Sequence, residues 1–180
     1  MNDQLQHELD APSAWVCRFA SQIRAGGRVL DVACGGGRHA RYLAGLNLRI
    51  EAVDRDAEAL RGLAAVPGVT TRVADLEGGP WPFAGQQFDA IVVTNYLHRP
   101  LFAHILAGLA VGGVLIYETF AAGNERFGRP ANPEFLLTPG ELLEVVRERL
   151  RVAAYEDLYV ETPKPALVQR ICAVRPATGV

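Results

Sequence analysis

The stretch RVLDVACGGGRHA, residues 28–40, constrains this chain more than any other. Val29, Leu30 and Val32 have the apolar, branched character of a short buried strand, and Asp31 stands near its end. Gly35, Gly36 and Gly37 follow, forming a turn in which the backbone approaches a ligand where side chains would block it. The next residues, 37–43, read as a helix whose free amides and positive dipole end point back at that turn. Strand, glycine turn and helix make a nucleotide-type pocket. The spacing Gly35-x-Gly37-x-x-Ala40, with Asp54 about 20 residues on, also fits a dinucleotide fingerprint, which leaves two cofactor classes to separate.

The rest of the chain supplies a sheet for that pocket. Trp15, Val16, Phe19 and Ile23 recur at helical spacing after Pro12, and this amphipathic helix, within residues 1–25, is expected to cover the pocket. Further strands are predicted at 49–54, 69–74, 88–94 and 114–119. Asp56 caps a helix carrying Leu60 and Leu63, and Pro100 opens one carrying Ile105, Leu106 and Leu109. Trp81, Pro82 and Phe83, in a Gly/Pro-rich connection, are expected to cover the sheet. Five alternations of strand and connection make an α/β fold with a doubly wound, mostly parallel sheet. Thr138-Pro139-Gly140-Glu141 reads as a capping box with proline at the first helical position. Strands at 152–160 and 166–174, flanking Pro163-Lys164-Pro165, then close a seven-stranded sheet as an antiparallel hairpin.

Composition narrows the class. A chain of 180 residues with 49% hydrophobic and 21% charged side chains buries one core, so a single domain spanning 1–180 is expected. A net charge of -2 leaves no basic footprint for nucleic acid. Asp3, Glu8, Asp10 and Arg18 interrupt the first 25 residues, which argues against a signal peptide, and no later run is long enough to cross a membrane. Cys17, Cys34 and Cys172 are odd in number and widely spaced, so free thiols in a reducing cytoplasm are expected, with no metal-ligand set.

Three acids separate the cofactors. Asp31, Asp54 and Asp75 fall at or near the carboxyl ends of the first three strands, where open α/β sheets bind ligands. Asp54 can accept both hydroxyls of a ribose, Asp75 an adenine amino group, and Asp31 places negative charge beside the glycine turn. That charge repels a pyrophosphate and attracts a cation. S-adenosylmethionine meets the demand, being an adenosine with a sulfonium and an ammonium group and no phosphate.

The motifs VLDVACGGG (29–37), AVDRD (52–56), VADLE (73–77), FDAIVVTNYL (88–97) and LAVGGVLI (109–116) make the chain resemble the class I S-adenosylmethionine-dependent methyltransferases of small bacterial type. It is also loosely similar to the tellurite-resistance-type enzymes. The resemblance implies that the backbone at Ala33 and Gly35 approaches the methionine end, with Asp31, Cys34 and Gly37 in the same cofactor site. It implies that Asp54 holds the ribose with Arg55 in the cofactor site beside it, that Asp75 with the amide of Leu76 holds the adenine, and that Thr94 and Asn95 lie near the methionine amino group and the transferred methyl. The family's usual glycine two places after the first acid is Ala33 here.

Methyl transfer is a direct displacement, so positioning dominates, and a base is needed only for a hydroxyl or amine acceptor. Tyr96 and Glu118 are the candidates for that role, ahead of His98 and Tyr159. The polar stretch 120–137 is too long for a plain connector and reads as a substrate-side loop, with Asn124, Arg126 and Arg129 as its contacts and the two arginines able to clamp an anion. A small-molecule methyl acceptor is the expected partner, and no feature specifies an oligomeric state. The alternatives are an NAD-dependent oxidoreductase and a non-catalytic S-adenosylmethionine-binding protein.

Overall fold

The apolar runs pair into one seven-stranded sheet of order β3-β2-β1-β4-β5-β7-β6. The computed structural model describes residues 11–177, so the first ten residues of the expected N-terminal cover lie outside it. The strands are β1 (Arg28–Val32), β2 (Arg49–Asp54), β3 (Val69–Val73), β4 (Phe88–Thr94), β5 (Leu109–Phe120), β6 (Arg151–Val160) and β7 (Ala166–Val174). The first five run parallel, and β7 inserts antiparallel between β5 and β6. This is the mostly parallel sheet with a closing hairpin that the strand count predicts.

Period-two alternation divides the core. Leu30, Val32, Ile91, Val93, Leu115 and Tyr117 face a layer that includes helix α4 (Phe102–Gly108) and helix α5 (Glu141–Val146). Val29, Ala90, Val92, Val114, Ile116 and Cys172 face helices α1 (Ala14–Phe19), α2 (Arg38–Gly45) and α3 (Ala57–Arg61). Strands buried on both faces explain the nearly unbroken apolar runs of β1 and β4. Phe83 is buried against Phe88 and Trp81, as the Gly/Pro-rich connection requires.

Two details depart from expectation. Helix α1 covers a face of the sheet, with Trp15 Nε1 donating to the Ile171 carbonyl at 3.2 Å, and only its leading residues reach the cleft. Pro139 does not enter a helix. Gly140 takes φ +75° as the residue before α5, while the Glu141 carboxylate accepts from the Thr138 amide at 2.8 Å. The reciprocal side-chain contact of the box is present, but the Pro139-Gly140 turn delays the helix to Glu141.

Candidate active site

The cleft lies at the carboxyl edge of the parallel strands, and its first wall is the turn after β1. Ala33 at φ +51° and Gly35 at φ +53° both take the left-handed conformation. Ala33 therefore carries a strain that glycine would not. A side chain on Gly35 or Gly36 would meet open space, whereas one on Gly37 (φ +75°) would lie 2.3 Å from Leu63. The first two glycines leave a cradle open, and the third lets the start of α2 pack against Leu63, just past α3. Gly37 therefore has a packing role in placing α2.

Asp54 at the end of β2 fastens this turn. Its Oδ2 accepts from the Gly35 amide at 2.8 Å and its Oδ1 from the Asp56 amide at 2.9 Å. A carboxylate has about four lone-pair sites, so two remain for a ribose diol. Beyond it a cavity of about 470 Å³ is lined by Ala33, Arg55, Asp75, Leu76, Asn95 and Tyr96 among others. Asp75 is exposed, and the Glu77 and Gly78 amides hold its carboxyl below the usual range. The acids at the ends of β2 and β3 thus converge on one space of adenosine size.

Asp31 is different. It is 1% exposed on the face covered by α2, and neither carboxylate oxygen has a hydrogen-bond partner. Burial pushes its pKa up to about 7, against weaker pulls from the Ala40 amide, outside hydrogen-bonding geometry, and from Arg38, while Asp54 adds repulsion. An unpartnered buried carboxylate beneath the glycine turn suits a cationic ligand and opposes a pyrophosphate. Cys34 next to it turns its side chain into the core, and burial raises its thiol pKa, so only its backbone borders the turn.

A second cavity, of about 430 Å³, opens on the other side of Asn95. Its walls include Ser13, Arg38, Glu118, Phe120, Lys164 and Arg170. Glu118 pairs with Arg170 across β5 and β7, and Arg170 pairs with Glu156 across β7 and β6. Arg170 accordingly bridges Glu118 at 3.2 Å and Glu156 at 2.7 Å. The other Glu118 oxygen accepts from the Ser13 hydroxyl at 2.7 Å. Ser13 also caps α1, accepting from the Trp15 amide, and donates its own amide to His39 Nε2 at 3.1 Å. That contact makes Nε2 the acceptor and leaves the proton on Nδ1, which faces Thr94 Oγ1 at 3.2 Å. Burial lowers the His39 pKa to about 3, so the ring is neutral.

His39 escaped the sequence reading. Its only trace there is the helical spacing that puts His39 and Leu43 on one buried face. Thr94, expected near the methyl group, instead has its hydroxyl on His39.

Other expected contacts also shift. Tyr96 lines the adenosine-sized cavity, and burial together with Glu77 and Asp75 raises its phenol pKa, a setting opposite to that of a base at the methyl. Asn124 is 1% exposed. Its Nδ2 donates to the Pro130 carbonyl and its Oδ1 accepts from the Leu167 amide, so it braces the loop and offers nothing to a substrate. Arg126 donates to the Gly123 carbonyl and lies over Phe127, away from the cavities described. Arg129 does line a cavity, of about 610 Å³, which shares Asn95, Phe120 and Lys164 with the Glu118 cavity.

Residues 29–113 match the family described as "Methyltransferase domain". No curated protein matches the chain in sequence. Among solved structures it is similar to TehB from Haemophilus influenzae, with TM-score 0.77 and 19% identity over 91% of this chain and 62% of that one. The chain thus spans less than two thirds of that relative. A TehB-like SAM-dependent methyltransferase from Corynebacterium glutamicum superposes with TM-score 0.66 at 19% identity, over 89% of this chain and 86% of that one. The N-methyltransferase NodS from Bradyrhizobium japonicum does so with TM-score 0.71 at 16% identity, over 97% and 98%. The matched residues hold the glycine turn, the strand-end acids and an orphaned carboxylate suited to a sulfonium cofactor, and the chain resembles the S-adenosylmethionine-dependent methyltransferases in that methyltransferase domain and in its fold.

Proposed function

We propose that the chain methylates a small molecule, and that the acceptor sits in the cavity between Asn95 and Arg170. The observation that carries this reading is the shared wall. Asn95 lines both the adenosine-sized cavity and the Glu118 cavity, so a group placed in one meets a group placed in the other beside it. S-adenosylmethionine, when bound, supplies an electrophilic methyl carbon. Asp54 with Arg55 would hold the ribose, Asp75 with the Leu76 backbone the adenine, and the 33–37 turn above Asp31 the methionine end.

This chain's residues do the positioning. Asn95, at φ +53°, is held at the end of β4 by its amide donating to the Glu118 carbonyl at 2.9 Å, which fixes the wall between the two cavities. Orientation of this kind supplies much of the rate in a direct displacement. Glu118 is the acid lining the acceptor cavity, and its carboxylate, fixed by Ser13 and Arg170, would accept a proton from, or orient, a hydroxyl or amine. The apolar walls exclude water that would compete as acceptor. The same residues 1–180 would work as one domain, and the free, buried Cys34 and Cys172 suit a reducing cytoplasm. Among the described residues no helix is long and apolar enough to cross a membrane.

Thermal unfolding with S-adenosylmethionine, S-adenosylhomocysteine and NAD in parallel tests the cofactor. A ligand at 100 times its dissociation constant adds about 2.7 kcal/mol, a rise of roughly 5 to 10 °C for a domain of this size. A shift with the two adenosyl compounds alone is expected, followed by S-adenosylhomocysteine release when small-molecule acceptors are screened. Absence of turnover with any acceptor, despite the shift, would favour a cofactor-binding protein without catalysis.

A further inference from the structure

We propose that the acceptor is a small organic acid, its anionic group held between Arg129 and Lys164 at the cavity mouth and its apolar body lying on Phe120 and Phe135. This rests on the methyl-acceptor reading above and adds the chemistry of the acceptor to it.

The outer cavity of about 610 Å³ is lined by two cations and no acid. Arg129 enters from the 120–137 loop and Lys164 from the tip between β6 and β7, so two segments distant in sequence bring positive charge to one space. Neither side chain makes an ion pair or hydrogen bond among the described residues. The one acid of the adjoining inner cavity, Glu118, is by contrast already matched by Arg170. The mouth therefore holds two uncompensated positive charges, and a bound anion is the complement that such a pair favours.

The segments carrying the two cations are held to each other. Asn124 spends both ends of its amide tying the Pro130 carbonyl of the loop to the Leu167 amide of β7. The segments that carry Arg129 and Lys164 are thus held beside each other before a ligand arrives, which lowers the ordering cost of binding. Apolar surface stands beside the charge. The Phe135 ring is 47% exposed at the same cavity, and Lys164 Nζ is 5.5 Å from the centre of the Phe120 ring. An exposed aromatic beside an unpaired cation fits a ring or chain that carries an acid group.

Lys164 is also the only lysine in the sequence, against 17 arginines. Its ammonium is a compact charge on a flexible stem that can follow ligands of different length. Being single, it gives a chemical readout at the site itself.

The test uses the full chain saturated with S-adenosylhomocysteine. Aromatic and aliphatic carboxylic acids, each matched with its uncharged amide and its amine counterpart, are titrated and followed by ligand-observed NMR. Lysine-directed acylation is read in parallel by peptide mapping at Lys164. At least one acid is expected to bind roughly tenfold more tightly than its amide. That preference should disappear in the double variant Arg129→Gln, Lys164→Gln, and the same acid should protect Lys164 from acylation. Both positions are exposed, so the variant is expected to fold, and its thermal shift with S-adenosylhomocysteine verifies this. Amides or amines that match the acids overturn the proposal, as does a panel in which no acid binds or in which Lys164 reacts equally with and without acid. Charge-dependent acid binding without any shift from S-adenosylhomocysteine would instead remove the methyltransferase reading and leave the anion site standing.

Discussion

The adenosine end of the cleft is assembled from neighbours in sequence, whereas the acceptor end is assembled from residues far apart. Asp54 reaches its Gly35 and Asp56 partners over 19 and 2 positions, and Asp75 reaches the Glu77 amide over 2. Glu118 meets Ser13 across 105 positions and Arg170 across 52. One end depends on a strand, a turn and an acid; the other depends on β7 having inserted between β5 and β6 and on α1 having docked. A cofactor shared by many enzymes is thereby met by local rules, and the acceptor site proposed here by global ones.

Four measurements sharpen or break this contrast. The largest effect is expected from Gly37→Ala, where a left-handed backbone and a contact with Leu63 combine to cost about 3 kcal/mol of unfolding free energy. Gly36→Ala, facing open space, should change stability by less than about 0.5 kcal/mol. Equal urea midpoints for the two variants would show that the turn is not divided between cradle and packing.

Next comes Asp54→Ala. It removes a charged acceptor from two backbone amides and from the ribose, and calorimetry should show S-adenosylhomocysteine binding weakened about 100-fold. Glu118→Gln should leave that affinity within about twofold while lowering acceptor turnover. Comparable loss of cofactor affinity in both variants would mean the two ends are not separable.

The third effect is in pH. His39, held down to about pKa 3, is neutral when folded, so as pH falls below its unfolded value near 6.5 the unfolded chain gains a proton that the native state refuses and stability drops. Asp31, raised to about 7, binds its proton first in the native state, so its contribution rises as pH falls from 7 toward 3.8. Each slope is at most about 1.4 kcal/mol per pH unit, and they oppose each other between about pH 4 and 6.5. Asp31→Asn removes one of them. Its unfolding free energy, followed by urea titration without cofactor, should fall more steeply with acid than that of the parent; parallel curves would contradict the buried, unpartnered state of Asp31.

The smallest effect is that of Ser13→Ala. It deletes the cap of α1 and one partner of Glu118, costing about 1 kcal/mol of stability. Acceptor KM should rise while S-adenosylhomocysteine affinity holds, and a change in both would tie α1 to the cofactor end as well.

The sequence by itself determined the alternation of elements and the cofactor class. Apolar runs buried on both faces, a glycine turn and acids at three strand ends are written within a few residues of one another, and a period of two or 3.6 follows from backbone geometry alone. The Asp56 cap and both strands of the hairpin could be read in the same way, because each rests on local hydrogen bonding. What the tertiary structure decided was the ownership of polar groups. Asn124, Arg126 and Tyr96 are of the types that bind substrates, yet one braces a loop, one serves its own turn and one lies on the adenosine side. His39, Arg170 and Lys164 gained their places only through strand order and helix docking. A side chain's chemistry is fixed by its type, but which partner consumes it is settled by contacts over 50 or 100 positions, such as those of Glu118, and no local pattern encodes these.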